Sequence, residues 1–305
     1  MDSERSATFP VRRERGPLTE ALETAGTALQ RAAPLTGVPT GVEGLDELFY
    51  TVEFSGGQVV KRSLGGYPRL AVVALTGIPE TGKSLMAEQF AVQQAALGHP
   101  VLFITVETPA PFIAQALELR AGAMGFAWEG LRDRIYLIDA ASRSSLREDV
   151  PSLLSTAAYA YRRQGIRYTV IDSLTGLYEA REIYARAIVR EVYNFLKEWH
   201  QTAVVVTQKR SAQEESSAEA AGGYAVSHIV DCTIVLTKRL IETPTVARLY
   251  GVALGDVVRT LRIDGCRLSG HDPAAHVMEI SELGLVRVGP RLADLLRGRS
   301  LSERE

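Results

Sequence analysis

One stretch of the chain, Gly77-Ile-Pro-Glu-Thr-Gly-Lys-Ser84, has the residue types and the spacing needed to hold a phosphate group. It matches the phosphate-binding loop pattern G-x-x-x-x-G-K-[ST] at all of its fixed positions. The glycines let backbone N–H groups turn toward a phosphate, Lys83 adds a positive charge, and the Ser84 hydroxyl can ligate Mg²⁺. We therefore predict a nucleotide site. Its predicted binding residues are Gly77, Ile78, Pro79, Glu80, Thr81, Gly82, Lys83, Ser84 and Leu85.

Hydrolysis of a bound nucleotide also needs an acid that orients the metal and a group that activates water. Asp172 ends an apolar run, so its carboxylate is expected at the carboxyl edge of a sheet, where it would hold Mg²⁺ through water. Glu107 ends another apolar run and is the predicted activator of water. The alternative for Glu107 is a structural acid that stabilises the start of the next helix.

Gln208 ends a third apolar run, Ala203–Thr207. Its position and its amide group fit a sensor that reads the γ-phosphate and signals to the loop that follows. The alternative, a surface glutamine, stays open. The chain contains only five lysines, so a lysine at position 83 of the loop pattern is harder to explain as a chance match.

The elements that must position these side chains are short apolar runs that alternate with helical stretches. Runs rich in Val and Ile that lack period-two alternation are typical of parallel strands buried on both faces. The alternation predicts an α/β fold with a mainly parallel sheet flanked by helices, and later strands indicate an antiparallel C-terminal extension. Predicted strands are Leu70–Leu75, Val101–Val106, Ile135–Ile138, Tyr168–Ile171, Ala203–Val206, Cys232–Leu236, Arg259–Ile263, His276–Ile280 and Leu285–Val288. Predicted helices are Ser84–Leu97, Pro111–Ala123, Val150–Gln164 and Tyr184–Gln201.

Three segments are expected along the chain: an N-terminal arm at residues 1–34, a domain with the nucleotide site at 35–290 and a polar tail at 291–305. The arm is predicted to contain a short helix between Leu18 and Ala33. Two β-prone runs around Gly56-Gly57 predict a hairpin within the domain.

Composition excludes several classes of protein. Lys and Arg number 34 against 36 Asp and Glu, so the net charge of −2 argues against a strongly basic nucleic-acid binder. The chain shows no long uncharged apolar stretch and no secretory signal pattern. Two cysteines are too few for a disulfide framework or a Cys-only zinc site. We therefore expect a cytoplasmic protein without a membrane span.

The combined motifs resemble the RecA/RadA/KaiC superfamily of P-loop ATPases, and a single KaiC-like unit fits best. The resemblance covers about residues 36–288. It rests on Pro39–Leu48 before the first core strand, on Val106-Glu107-Thr108-Pro109, on Ile171–Thr175, and on Arg267–Asp272 followed by Met278-Glu-Ile and Gly284. It implies a RecA-like fold, ATP and Mg²⁺ as ligands, slow hydrolysis and a homohexameric ring.

The resemblance also implies that Arg267 reaches the γ-phosphate of a neighbouring protomer, with a surface arginine as the alternative. Two departures from the family pattern bear on activity. Val106 stands where a second glutamate is common, and Gly265 replaces a frequent lysine near Arg267. The first departure keeps open a nucleotide-binding switch with negligible hydrolysis.

A DNA-binding recombinase is the other alternative. The loop after Gln208 carries two basic residues, three acids and no aromatic residue, and Arg12, Arg13 and Arg15 lie in an arm with balancing acids. Because phosphate contacts dominate nucleic-acid affinity, nucleic-acid binding is not favoured. We expect an unidentified protein partner to be recognised through arms and surface loops.

Overall fold

The computed structural model describes residues 19–209 and 226–302, without the side chains of 55, 180, 182 and 298–302, and the chain divides after Pro34 into two compact units. In the first unit, a 3-10 turn at Thr19–Ala21 precedes helix α1, Ala25–Gln30, and both are exposed. Thr24 caps α1 because its hydroxyl accepts a hydrogen bond of 3.2 Å from Thr27 N. The helical part of the arm is thus shorter than predicted.

The second unit contains all the remaining elements that the structure describes. Its strands are β1 (Gly37–Val38), β2 (Phe49–Ser55), β3 (Gln58–Ser63), β4 (Tyr67–Pro68), β5 (Val72–Gly77), β6 (Val101–Thr105), β7 (Ile135–Asp139), β8 (Tyr168–Asp172), β9 (Thr202–Gln208), β10 (Cys232–Leu240), β11 (Val257–Cys266), β12 (Gly270–His271), β13 (His276–Ile280) and β14 (Val286–Arg291). Its helices are α2 (Lys83–Ala96), α3 (Ala110–Ala123), α4 (Ser144–Glu148), α5 (Val150–Gln164), α6 (Ala185–Glu198), α7 (Pro244–Tyr250) and α8 (Leu292–Ser302).

The central sheet of the described chain has nine strands in the order β14-β13-β11-β10-β5-β9-β8-β6-β7. Strands β10, β5, β9, β8, β6 and β7 run parallel to one another, whereas β11, β13 and β14 add in antiparallel fashion beside β10. The predicted α/β fold, a mainly parallel sheet with an antiparallel C-terminal extension, is therefore confirmed.

Hydrophobic side chains cover both faces of this sheet. In β5, Val73 and Leu75 point into the cluster that contains Phe90 of α2, while Val72 and Ala74 point into the cluster that contains Leu153 of α5. Every residue of β5 is buried. Two-sided burial explains why the strand reads as a continuous apolar run rather than an alternating one.

The predicted hairpin around Gly56-Gly57 is present as β2 and β3, which pair from Tyr50 with Ser63 to Ser55 with Gln58. Three of the described helices were not expected: α4 precedes α5, α7 follows β10, and α8 lies within the segment that we predicted to be a polar tail. Thr243 accepts a hydrogen bond of 3.3 Å from Val246 N, and Pro244 occupies the first turn, so α7 has a standard start.

Several sequence predictions concern residues outside the described part of the chain. The basic residues at 12, 13 and 15 lie there, as does most of the loop after Gln208. Within residues 19–209 and 226–302, no helix is long and apolar enough to cross a membrane.

Candidate functional site

The phosphate-loop sequence forms the turn between β5 and α2. Gly82 has a φ of +100°, a backbone conformation that glycine adopts without strain, and Lys83 begins the helix directly after it. The Lys83 ammonium donates a hydrogen bond of 2.7 Å to the Ile78 carbonyl, and the Thr81 hydroxyl donates one of 3.0 Å to the same oxygen. The loop is thus closed on itself at the N-terminus of a helix, where anions are favoured.

The remaining loop residues border the same turn. Pro79 and Glu80 are exposed, and Glu80 accepts a hydrogen bond of 2.9 Å from the Lys238 ammonium. Ser84 is exposed in the first turn of α2, and Leu85 packs against the core beside it. Five of the predicted nucleotide-binding residues line one surface cavity together with Ile280: Glu80, Gly82, Lys83, Ser84 and Leu85.

The strand order brings the predicted polar residues to one edge of the sheet. Strands β5, β9, β8 and β6 are neighbours and parallel, so their carboxyl ends lie side by side. Gly77, Gln208 and Asp172 are the last residues of β5, β9 and β8, and Glu107 follows β6 by two residues. Such an edge is where ligands bind in open α/β sheets.

The two predicted metal ligands lie side by side, because the Asp172 carboxylate accepts a hydrogen bond from the Ser84 side chain. Burial raises the pKa of Asp172 to about 6; the Ser84 hydrogen bond opposes that rise, and the nearby Glu107 charge adds to it. A hydroxyl and one carboxylate are the ligands that a protein commonly contributes to Mg²⁺ beside a nucleotide, with phosphate and water supplying the others. The donor set fits this ion.

Glu107 is held by two side chains from neighbouring strand ends. The Gln208 amide nitrogen donates to both carboxylate oxygens of Glu107, at 2.8 and 2.9 Å, and the Ser173 hydroxyl donates to one of them. Gln208 is itself positioned because its backbone N–H donates to the Thr175 hydroxyl at 2.9 Å. Glu107 remains exposed, so water can reach its carboxylate.

Three lysines lie near the loop, among the carboxylates of Glu80, Asp172 and Glu107. Burial lowers the pKa of Lys83 to about 8; Asp172 and Glu107 oppose that fall, and Lys238 and Lys209 add to it by repulsion. Lys209 is 5% exposed, and its backbone N–H donates to the Gly77 carbonyl at 3.2 Å. Three of the five lysines in the chain therefore surround a site suited to phosphates.

Sequence reasoning singled out only Lys83 of these three. The small number of lysines in the chain was a sequence signal that could have indicated Lys209 and Lys238 as well. Ser173 was likewise missed, although it directly follows Asp172 and contacts Glu107.

Arg267 lies at the opposite edge of the sheet in this protomer. Its backbone N–H donates to the Asp231 carbonyl at 2.8 Å, and the Asp231 backbone N–H donates to the carbonyl of Val72, the first residue of β5. The phosphate loop follows the other end of β5, roughly 16 Å along the strand. The Arg267 guanidinium donates to the backbone carbonyl of His228 at 2.6 Å. Arg267 is thus not part of its own protomer's loop site.

Comparison with known proteins agrees with this architecture. A UPF0273 protein from Aeropyrum pernix is 26% identical over 279 residues, covering 84% of this chain and 98% of that protein. The circadian clock oscillator protein KaiC of Thermostichus vulcanus is 27% identical over 192 residues, which are 59% of this chain and 33% of that protein.

A solved structure of a KaiC-like protein from Pyrococcus horikoshii superposes with a TM-score of 0.62 at 22% identity, covering 84% of this chain and all of that one. This likeness supports the RecA-like fold. The matches support a KaiC-like ATP-binding function and do not favour a recombinase or a non-hydrolysing switch. The family model described as the KaiC ATPase matches residues 38–293, and the chain therefore belongs to the KaiC ATPase family.

Proposed function

We propose that this protein binds Mg·ATP at the Gly77–Ser84 loop and hydrolyses it slowly. The observation that carries the proposal is the arrangement of Glu107. Its carboxylate is exposed, is held by Gln208 and Ser173, and lies at the same sheet edge as the loop and the Ser84–Asp172 pair. A carboxylate held in this way can accept a proton from an attacking water.

Each side chain then has a defined task. The backbone N–H groups of the loop and the Lys83 ammonium bind phosphate oxygens, and Ser84 and Asp172 would hold Mg²⁺. The ion, when bound, neutralises phosphate charge. Glu107 takes the proton of the attacking water on a carboxylate oxygen, while Gln208 keeps that carboxylate oriented and is positioned to respond to the γ-phosphate.

The proposal includes a homohexameric ring in which Arg267 serves a neighbour's site. Arg267 lies at the sheet edge where β5 begins, and its own protomer's loop follows the other end of that strand, about 16 Å away. A contribution of Arg267 to phosphate chemistry therefore requires a second protomer. A contact between opposite edges of two protomers is head-to-tail, and such contacts close into rings when the rotation permits. A guanidinium at the γ-phosphate would neutralise charge that develops during transfer.

Calorimetry with Mg·ATP tests the binding site directly. The Lys83→Ala variant should show no detectable binding, because the loop loses its cation, and unchanged affinity would refute the assignment.

A mixing experiment tests the shared site. Lys83→Ala protomers lack a functional loop but keep Arg267, and Arg267→Ala protomers have the opposite defect. Mixed oligomers of the two should regain part of the ATPase activity. No recovery in verified mixed oligomers, or full activity in a strictly monomeric protein, would exclude a role for Arg267 in a neighbour's site.

A further inference from the structure

The chain's two cysteines face each other across the strand pair β10–β11. Cys232 and Cys266 are directly opposite in the antiparallel register. The neighbouring pair, Asp231 and Arg267, is joined across the strands because the Arg267 N–H donates to the Asp231 carbonyl. Hydrogen-bonded and non-hydrogen-bonded pairs alternate along an antiparallel ladder, so the cysteines occupy a non-hydrogen-bonded position. Cα atoms at such a position are about 4.5 Å apart, within the range of about 4.4–6.8 Å that disulfides require. The backbone can therefore accept a disulfide without moving.

The two thiols already interact. The Cys232 thiol donates a hydrogen bond to the Cys266 sulfur, which also lies 3.4 Å from the Ser269 hydroxyl and accepts from the backbone N–H groups of Leu268 and Ser269. The Cys232 hydrogen bond is the largest cause that lowers the pKa of Cys266, which falls to about 5, and the pKa of Cys232 is raised. Of the two cysteines, Cys266 is therefore the one whose ionisation its surroundings favour.

Exposure gives the two cysteines an order of reaction. Cys232 is 1% exposed, so a reagent cannot reach it first. Cys266 is partly exposed and lines a surface cavity of about 300 Å³ together with Asp264, Arg267 and His271. A partly exposed cysteine with a buried cysteine directly opposite it is the arrangement of an attacking and a resolving cysteine.

We propose that Cys232 and Cys266 form a reversible intramolecular disulfide by exchange with a low-molecular-weight disulfide such as oxidised glutathione. The Cys266 thiolate attacks one sulfur of the reagent, breaking its S–S bond and releasing one thiolate, which takes up a proton. Cys232 then loses its proton to solvent and attacks the Cys266 sulfur, and the second reagent thiolate leaves. Two protein thiols lose two electrons in total, and the reagent is reduced to two thiols.

The bond would join the end of β11 to β10, directly before Arg267. It would therefore restrain the backbone that carries the residue proposed to serve a neighbouring site. This consequence depends on the proposed function, whereas formation of the bond does not.

Intact-mass measurement of the full chain tests the bond itself. The folded protein is incubated with excess oxidised glutathione, free thiols are blocked by acid quench and alkylation, and the mass is read with and without a reductant. The wild type should lose the mass of two hydrogen atoms, take up no alkylating agent and regain both thiols on reduction. Cys232→Ser should stop at one glutathione adduct on Cys266, and Cys266→Ser should remain unmodified.

Circular dichroism shows that each variant is folded, and the wild-type result does not depend on either variant. The proposal is wrong if the folded wild type keeps two alkylatable thiols, if it retains a glutathione adduct as Cys232→Ser does, or if non-reducing electrophoresis shows the bond between two chains. Because no nucleotide is present, these outcomes are independent of whether the chain hydrolyses ATP.

Discussion

Replacing Glu107 with glutamine should separate ATP binding from ATP hydrolysis. Glutamine has the same length and keeps one acceptor oxygen, so it retains one of the two contacts with the Gln208 amide. It loses the negative charge and the ability to take a proton from water. The variant therefore removes the proposed chemistry while it leaves the strand ends in place.

The expected magnitude follows from the task assigned to Glu107. A positioned general base contributes about 10²–10⁴-fold to turnover, which corresponds to roughly 3–5 kcal/mol of transition-state stabilisation. The lost contact is an exposed hydrogen bond to a charged group, worth at most about 3 kcal/mol, and it does not involve the nucleotide. The Glu107 charge also raises the pKa of Asp172, so its removal favours the ionised metal ligand. Turnover should fall at least about a hundredfold, while the dissociation constant for Mg·ATP changes only a few fold.

Single-turnover hydrolysis and calorimetry measure the two quantities separately. Glu118→Gln is the matched control, because Glu118 is an exposed carboxylate on helix α3, and it should leave both unchanged. Glu107→Asp keeps a base but shortens its reach to Gln208, and it should give an intermediate rate. Turnover of Glu107→Gln close to that of the wild type would show that another group activates water. A large loss of ATP binding would show that Glu107 is structural.

Three further predictions follow from other sites. Gly82→Ala should weaken Mg·ATP binding in calorimetry and cost about 1–2 kcal/mol in denaturant unfolding, because alanine is strained at a φ of +100°. Arg120→Ala should lower the free energy of unfolding by about 3–5 kcal/mol in the same assay, because it leaves the Glu88 carboxylate buried without its partner; the two side chains are 3.1 Å apart and each is 8% exposed. The double variant Glu88→Gln/Arg120→Met should lose less stability, because it removes both charges. Iodoacetamide labelling of Cys266 should be constant above pH 6 and fall below about pH 5, where the thiolate takes up a proton, and Cys232→Ala should move that transition to higher pH.

Much of the fold could be predicted because its strongest signals are local. The strand β8 ends at Asp172 and β9 at Gln208, as the apolar runs predicted, since burial on both sheet faces demands continuous Val and Ile. Helix α7 was missed because it has only seven residues between two strands. At that length a helix carries little periodic pattern and depends on its caps and its packing.

The candidate site could be predicted only in part. The polar residues at the strand ends could be recognised in the sequence. The proximity of Lys209 and Lys238 to Lys83 could not, because neither Lys209 nor Lys238 belongs to a recognisable motif. The pairing of Cys232 with Cys266 was equally hidden. It depends on a register between β10 and β11 that includes a bulge after Thr233, which residue spacing alone does not specify.

The amino-acid sequence by itself determined the phosphate loop and the polar residues that end the strands, because turn geometry and burial act over a few neighbouring residues. Only the tertiary structure decided which strand ends are neighbours. Gln208 and Glu107 are 101 residues apart, and they touch because β9, β8 and β6 lie together in the sheet. That order is set by long-range hydrogen bonds and by the packing of helices on both faces, and these contacts form only when the whole domain folds.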